Sequence, residues 1–358
     1  MVTAAAITVI SVVTLSTLLA GCAGPAQVLR LEPSATAVAP VWPAPQSEER
    51  ARYRYLGQLT GEDNLHAPEG GGTDLRTVFN WLVGLVEGEG GRVVLQRPQG
   101  GAVDAQGRVL VTDVSRKAVF VFDEAAGRLE VWDDIGRGRR FASPIAVAAG
   151  PDGQVLVTDS ELGQVFRLDR DGRPLGSFGG GVLRRPTGIA RDPARRLVYV
   201  ADTYAHDIKV FADDGRLLEV IGRRGSGDGE FNYPTHLAFA QDELYVTDTL
   251  NSRIQVLRAE AGGPVRKFGE RGLYLGNLVR PKGVGVDSEG NVYVIESYYD
   301  SLLVFSARGE FLLPIGGTGT ATGRFYLPSG VWVDARNRVH IADMFNGRVV
   351  LFQFLGGS

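Results

Sequence analysis

Histidine is the residue type in this chain best suited to acid–base or metal chemistry, and there are four of them. A zinc site in a protein uses at least three protein ligands. His66, His206 and His236 are the three histidines that could together bind a zinc or calcium ion. Such a site would make the chain a metal-dependent lyase or hydrolase. No glycine-rich turn of the dinucleotide-binding type joins a strand to a helix, so that cofactor class is excluded.

Arginine and tyrosine offer a second kind of chemistry, the binding of an anion. Five glycine-containing stretches, 136–143, 179–185, 222–233, 269–280 and 316–327, hold ten arginines and three acidic residues. Guanidinium groups bind carboxylates and phosphates, and tyrosine beside arginine suits sugars or protein surfaces. The candidate binding residues are Arg139, Arg140, Arg184, Arg223, Arg224, Tyr204, Tyr298 and Tyr299.

The pattern of these side chains indicates an anionic glycan, a lipid head group or an acidic protein patch as the partner. Two structural alternatives stay open. Arg97, Arg185 and Arg280 each precede a proline that recurs along the chain, so some arginines belong to a repeat. The tyrosine rings could also simply pack between loops.

That repeat runs from Arg97 onward. Each unit begins at a proline, and successive prolines are 46, 42, 48, 47 and 47 residues apart, as expected of propeller blades with four strands each. The prolines are Pro98, Pro144, Pro186, Pro234, Pro281 and Pro328. A second marker is the acidic residue that ends the second strand of each unit: Asp113, Asp159, Asp202, Asp248, Glu296 and Asp343.

The third unit shows the strand pattern most fully. Its predicted strands are 188–190, 197–201, 207–211 and 217–221, separated by turn residues. The acidic marker is predicted to be structural, since a catalytic group is needed once. An acidic side chain at a strand end can accept hydrogen bonds from the turn that follows.

The last unit has only three strands, so its outer strand must come from elsewhere in the chain. Residues 52–61 resemble the outer-strand segment 215–222 and are predicted to close the ring. The predicted fold is all-β, a six-bladed β-propeller closed by an N-terminal strand. Loops that lead into the blades, and loops between second and third strands, then share one face around the channel. We call it the mouth face.

The repeats resemble those of the NHL family over residues 97–354. The resemblance rests on the Pro-x-Gly start, the Val-Tyr-Val-Ala-Asp strand that ends at Asp202, and the strand Arg253–Leu257. It implies a propeller of the NHL or TolB-like type. For activity it implies less, because propellers serve both as binding modules and as enzymes. Some NHL-like propellers are amidating lyases whose channel histidines hold a metal.

The N-terminal residues predict export and a lipid anchor. An apolar run is followed by Leu-Ala-Gly-Cys ending at Cys22, which resembles a bacterial lipobox in which the cysteine is acylated. Residues 1–21 are therefore a predicted lipoprotein signal peptide, and the Pro/Ala-rich residues 22–50 a predicted tether. The leader lacks a basic residue, which is atypical of a signal peptide or indicates a wrongly placed start. The alternative is an uncleaved N-terminal membrane helix with an incidental cysteine.

Residues 51–358 form the predicted propeller, in which residues 62–96 are an insertion before the first blade. Apolar residues recur there at helical spacing from Leu75 to Val86, which predicts a short amphipathic helix that either packs on the propeller or docks a partner.

The formal net charge of −3 gives no overall attraction to nucleic acid, and no nucleic-acid partner is predicted. The sequence favours a non-catalytic binding or scaffolding lipoprotein of the bacterial cell envelope. Its expected location is the periplasmic or cell-surface side of a membrane. No cofactor is predicted outside the metal-dependent alternative.

Overall fold

The computed structural model describes residues 27–34, 38–44, 50–67, 92–258 and 264–356. Cys22 and the predicted helix from Leu75 to Val86 lie outside these residues. Within them the chain consists of β-strands, short 3-10 turns and loops. None of the described helices is long and apolar enough to cross a membrane.

In chain order the strands are β1 (Val28–Leu29), β2 (Val41–Trp42), β3 (Tyr53–Leu59), β4 (Leu65–His66), β5 (Pro98–Val103), β6 (Val109–Asp113), β7 (Ala118–Asp123), β8 (Arg128–Trp132), β9 (Asp134–Gly136), β10 (Arg139–Arg140), β11 (Pro144–Ala149), β12 (Val155–Asp159), β13 (Gln164–Leu168), β14 (Pro174–Phe178), β15 (Pro186–Asp192), β16 (Leu197–Asp202), β17 (Asp207–Ala212), β18 (Leu217–Ile221), β19 (Pro234–Ala240), β20 (Glu243–Asp248), β21 (Arg253–Arg258), β22 (Pro264–Phe268), β23 (Pro281–Val286), β24 (Val292–Glu296), β25 (Ser301–Phe305), β26 (Phe311–Gly316), β27 (Val331–Val333), β28 (Arg338–Asp343) and β29 (Arg348–Phe354). The 3-10 turns are Glu62–Asn64, Pro151–Gly153, Thr249–Asn251 and Met344–Asn346.

Six antiparallel sheets form the blades. Blades I to V are β5–β8, β11–β14, β15–β18, β19–β22 and β23–β26, each running from the channel outward. Blade VI contains β27, β28 and β29 and is completed by β3 and β2. The predicted six-bladed β-propeller is thus confirmed, and the four strands expected in the third repeat are β15–β18.

The apolar core lies between neighbouring blades. Val119 and Val121 of blade I share one buried cluster with Val157 and Phe166 of blade II. All five residues of β6 are buried, because a middle strand is covered on both faces by the adjacent blades. A single blade cannot bury both faces alone, so the ring of blades is the folding unit.

The N-terminal strand closes the ring, as the sequence predicts. β3 pairs antiparallel with β29, and Leu59 lies opposite Val349. Tyr53 is 1% exposed and packs edge-on against Tyr293 of blade V, with ring centroids 6.0 Å apart. β2 then pairs with β3 as a fifth strand of blade VI.

The described parts of the predicted tether, 27–34 and 38–44, are not a tether. Leu29 is buried in the apolar cluster between blades VI and I. Glu32 accepts hydrogen bonds from the side chains of Gln58 at 2.7 Å and Thr60 at 2.5 Å. Trp42 packs edge-on against Phe352, with ring centroids 5.1 Å apart. The interpretation as a segment with few buried contacts is wrong here, because strands of two residues leave no periodic pattern in the sequence.

The repeated acidic residue organises the loops of the mouth face. Asp159 is fully buried and accepts hydrogen bonds from the backbone N–H groups of Ala142 (2.7 Å) and Ser143 (3.0 Å), which lead into blade II. It also accepts from Glu161 (3.1 Å) and Leu162 (3.0 Å) in the turn that follows. The predicted structural role is confirmed for Asp159, which joins two loops rather than one.

Candidate functional site

The five predicted arginines lie exposed on the mouth face, in the loops that lead into blades II, III and IV. Two of them are ion-paired: Arg140 lies 3.3 Å from Asp133, and Arg223 lies 2.8 Å from Glu230. The other three make no ion pair with any described residue: Arg139, Arg184 and Arg224. The positive charge available to a ligand in these loops is therefore smaller than the sequence count indicates.

The predicted tyrosines form exposed aromatic pairs on the same face. Tyr204 is 52% exposed and lies edge-on to Tyr233 at 6.1 Å, with the Arg185 guanidinium 5.0 Å from the centre of its ring. Tyr298 and Tyr299 pack edge-on against each other at 5.0 Å. The rings thus pack together, as the structural alternative expects, and still present surface to a ligand.

Sequence reasoning missed Lys282, which the fold places at the channel mouth. Lys282 directly follows Pro281, near the start of the innermost strand β23. At the same position in blades III and IV, Thr187 and Thr235 each use their hydroxyl in a hydrogen bond of 2.7 Å. The Lys282 ammonium has no hydrogen bond or ion pair with any described residue.

The charged groups that act on Lys282 within the described ranges are both cations. Burial lowers the pKa of Lys282, and the positive charges of Arg280 and Arg97 lower it further. These two arginines approach the mouth from the loops that lead into blades V and I, and within the described chain neither makes an ion pair. Arg97 also lies over the ring of Phe345 at 5.5 Å. A partly buried ammonium in the field of two guanidinium groups contributes to a positive potential that an anion would neutralise.

His236 lines the channel close to this cationic group. It faces a cavity of about 290 Å³ enclosed by the innermost strands. The other blades have glycine or alanine at this position because these strands approach closely; a Cβ atom on Gly188 would lie 2.7 Å from Cα of His236. Burial and the charge of Lys282 lower the pKa of His236 to about 3. The imidazole is therefore neutral at physiological pH, with Nδ1 3.0 Å from Oγ1 of Thr235.

The structure does not bring the three candidate metal-binding histidines together. His66 is exposed in β4, which pairs with β1. His206 is buried, and its Nδ1 accepts a hydrogen bond from the backbone N–H of Tyr233 at 3.2 Å. Across the described ranges, no group of three His, Cys, Asp or Glu side chains could hold a metal ion. The fourth histidine, His340, is fully buried in β28.

Several acidic residues on the opposite face are paired locally. Asp213 lies 2.8 Å from Arg191 and 3.3 Å from Arg196, and Asp171 lies 3.3 Å from Arg173. The two faces therefore differ less in charge than their loop sequences indicate. What distinguishes the mouth face is the group formed by Lys282, Arg97 and Arg280, which we call the mouth cations.

Comparison with known proteins supports the repeat type. The sequence model of a family described as a 6-bladed beta-propeller matches residues 193–272. The chain is 32% identical to NHL repeat-containing protein 2 of Bos taurus over 155 residues, which are 34% of this chain and 21% of that protein. It is 30% identical to protein brain tumor of Drosophila melanogaster over 145 residues, 39% of this chain and 13% of that protein.

The chain is also 31% identical to peptidylglycine alpha-amidating monooxygenase of Rattus norvegicus over 145 residues, 36% of this chain and 15% of that protein. In each of these three curated relatives the match spans about a fifth of the protein's length or less.

Solved structures show the same fold at low sequence identity. A virginiamycin B lyase from Staphylococcus aureus is 14% identical with a TM-score of 0.53, covering 72% of this chain and 95% of that one. A gluconolactonase from Xanthomonas campestris is 18% identical with a TM-score of 0.54, covering 74% of this chain and 89% of that one. Together with the strand order, these matches show that the chain is a six-bladed β-propeller, whose repeats are similar to those of NHL repeat-containing protein 2.

Proposed function

We propose that the protein is a non-catalytic binding protein of the bacterial cell envelope that captures an anionic ligand at the channel mouth. The ligand group is a carboxylate or phosphate, carried by a glycan, a lipid head group or a protein. The observation that carries this proposal is the Lys282 ammonium, which is partly buried at the channel mouth, lies in the field of Arg97 and Arg280, and is unpaired within the described chain.

Removing a charge from water costs free energy unless an opposite charge compensates it. A buried ammonium is stabilised by an opposite charge, and here the nearby charged groups, Arg97 and Arg280, have the same sign. A bound anion would relieve both the burial penalty and the repulsion among the mouth cations. Tyr204 and Tyr298 are exposed on the same face and offer apolar and hydroxyl contacts to the rest of a large ligand.

A retention experiment tests this proposal. The purified full chain is applied to immobilised polyuronate, with uncharged dextran as the reference matrix. We expect Arg97→Gln/Arg280→Gln to elute at clearly lower salt than the wild type. Arg170→Gln/Arg173→Gln, on the opposite face, should elute with the wild type. Equal elution of the two double variants would overturn the assignment to the mouth face.

Competition identifies the source of the anion. Free inorganic phosphate, polyuronate oligosaccharide and phosphatidylglycerol vesicles are added to the bound protein in turn. The competitor that releases the protein at the lowest concentration of anionic groups carries the preferred ligand. If all three competitors release the protein equally per anionic group, and only at low ionic strength, the attraction is nonspecific and the proposal of a defined site fails.

The anchoring part of the proposal rests on Cys22. Cys22→Ser should move the protein from the membrane fraction to the soluble one, or leave an unprocessed precursor, because the acyl chains supply the attachment. Unchanged processing and fractionation of this variant would contradict the lipid anchor.

A metal-dependent lyase or hydrolase is the second candidate, favoured by His236 alone. A neutral imidazole facing the channel cavity is a competent metal ligand. Metal analysis of the purified chain decides this point. Stoichiometric zinc or calcium that disappears in His236→Ala would favour the enzyme, whereas metal that remains in that variant would place the ion elsewhere.

A further inference from the structure

The loop between β22 and β23 ends in an apolar tip formed by Leu273, Tyr274 and Leu275. These side chains are 84%, 85% and 70% exposed. At the equivalent positions, the loops into blades IV and VI carry Ser226-Gly227-Asp228 and Thr320-Ala321-Thr322. The repeat therefore does not require apolar residues here, and exposing three in a row is unfavourable in water.

Hydrogen bonds within the loop fix its shape and keep the tip residues exposed to solvent. Leu278 is fully buried, and its N–H donates to the carbonyl oxygen of Glu270 at 2.9 Å. The side chain of Asn277 accepts a hydrogen bond from the N–H of Tyr274 at 2.9 Å. A braced loop displays the tip residues instead of letting them fold onto the propeller.

We infer that this tip inserts into the interfacial region of a lipid membrane that contains anionic lipids. Leucine partitions into the acyl region, and tyrosine favours the boundary between head groups and chains. Arg271 and Arg280 belong to the same loop, are exposed, and have no ion pair within the described chain. Their charge complements anionic head groups, with a contribution that falls as salt rises.

The size of the tip favours a membrane over a protein partner. A stable protein interface buries about 800 Å² on each partner, and three side chains on a protruding loop offer much less. A membrane contact needs no such area, because each apolar side chain partitions independently and neighbouring cations add to the attraction. Arg280 belongs both to this loop and to the mouth cations, so the membrane contact is distinguished from the anion site by the apolar tip and Arg271. The inference does not require the acyl chain at Cys22.

The test is a local one, carried out on the full chain. In a Cys22→Ser background, which leaves no other cysteine, an environment-sensitive fluorophore is attached either to Leu273→Cys or to Ser226→Cys in the equivalent polar loop. Each protein is mixed with phosphatidylcholine vesicles with or without phosphatidylglycerol. We expect a blue shift and quenching by nitroxide-labelled acyl chains at position 273 only, stronger with phosphatidylglycerol. Equal, water-like emission at both positions would overturn the inference.

A second variant tests the tip without a label. Leu273→Ser/Tyr274→Ser/Leu275→Ser should bind phosphatidylglycerol vesicles at least tenfold more weakly than the wild type, with an unchanged melting temperature. Wild-type vesicle binding by this variant would overturn the inference. The inference would also fail if the emission of the fluorophore at position 273 shifted with protein concentration in the absence of vesicles, because the tip would then contact a second copy of the chain.

Discussion

The hydroxyl groups of Tyr53 and Tyr293 lie 3.2 Å apart, and Tyr293 in turn donates to Asp287 at 2.7 Å. This contact joins the N-terminal closing strand of blade VI to blade V. Tyr53→Phe removes one buried hydrogen bond without creating a cavity, so we expect it to lower the free energy of unfolding by about 1 kcal/mol. Chemical denaturation measures the loss, and Tyr326→Phe on the exposed mouth face is the control. Equal stability of the two variants would contradict this role.

The docked N-terminal segment predicts a loss of stability at Trp42. The ring packs on Phe352 but remains partly exposed, so Trp42→Ala should cost about 1–3 kcal/mol, less than for a fully buried ring. Thermal melting against Leu218→Ala, an exposed residue of β18, provides the comparison. If residues 38–44 were a free tether, the two alanine variants would melt alike.

The repeated acid predicts a purely structural phenotype. Asp159→Ala leaves four part-buried N–H groups on two loops without their acceptor, and a lost bond of this kind costs up to about 1–3 kcal/mol, so we expect marked destabilisation. Asp159→Asn keeps one acceptor oxygen and should fall between Asp159→Ala and the wild type. Folding is followed by near-ultraviolet circular dichroism. A stable Asp159→Ala variant that lost only ligand binding would show the residue to be functional instead.

His236 predicts a specific pH dependence. Its pKa is about 3 in the folded protein, against an ordinary value of 6.5, so between these values the unfolded chain binds a proton that the folded chain does not. The contribution of the neutral imidazole to the free energy of unfolding is fully present above pH 6.5. It falls as the pH drops from 6.5 towards 3, by up to about 1.4 kcal/mol per pH unit. His236→Gln should show a shallower loss between pH 6 and pH 4 in denaturation series. Parallel curves would mean that the imidazole is not held neutral.

The fold could be predicted from the sequence because its strands repeat. The strands expected around Ile189 and Ile208 lie within β15 and β17, and the closing strand was predictable because residues 52–61 resemble an outer strand. The contacts of Leu29 and Trp42 could not be predicted, since they depend on two-residue strands that have no periodicity of their own.

The candidate site was predictable only in part. Exposed arginines and tyrosines on the mouth face follow from their loop positions. The role of Lys282 depends on Arg97, which the ring brings close from the opposite end of the repeat array. A single lysine after a blade proline does not by itself indicate a binding site. The available signal is a comparison between repeats, since Thr187 and Thr235 at the same position are uncharged.

Isothermal titration of the full chain with polyuronate oligosaccharide tests the central claim most directly. Lys282→Met keeps the length of the side chain and removes the charge, and Lys267→Met is the matched control because Lys267 is an exposed lysine already paired with Asp228 at 2.5 Å. We predict that Lys282→Met weakens binding at least tenfold, which is about 1.4 kcal/mol, and that Lys267→Met binds as the wild type does. Wild-type affinity in Lys282→Met would contradict the assignment of the anion site to the channel mouth.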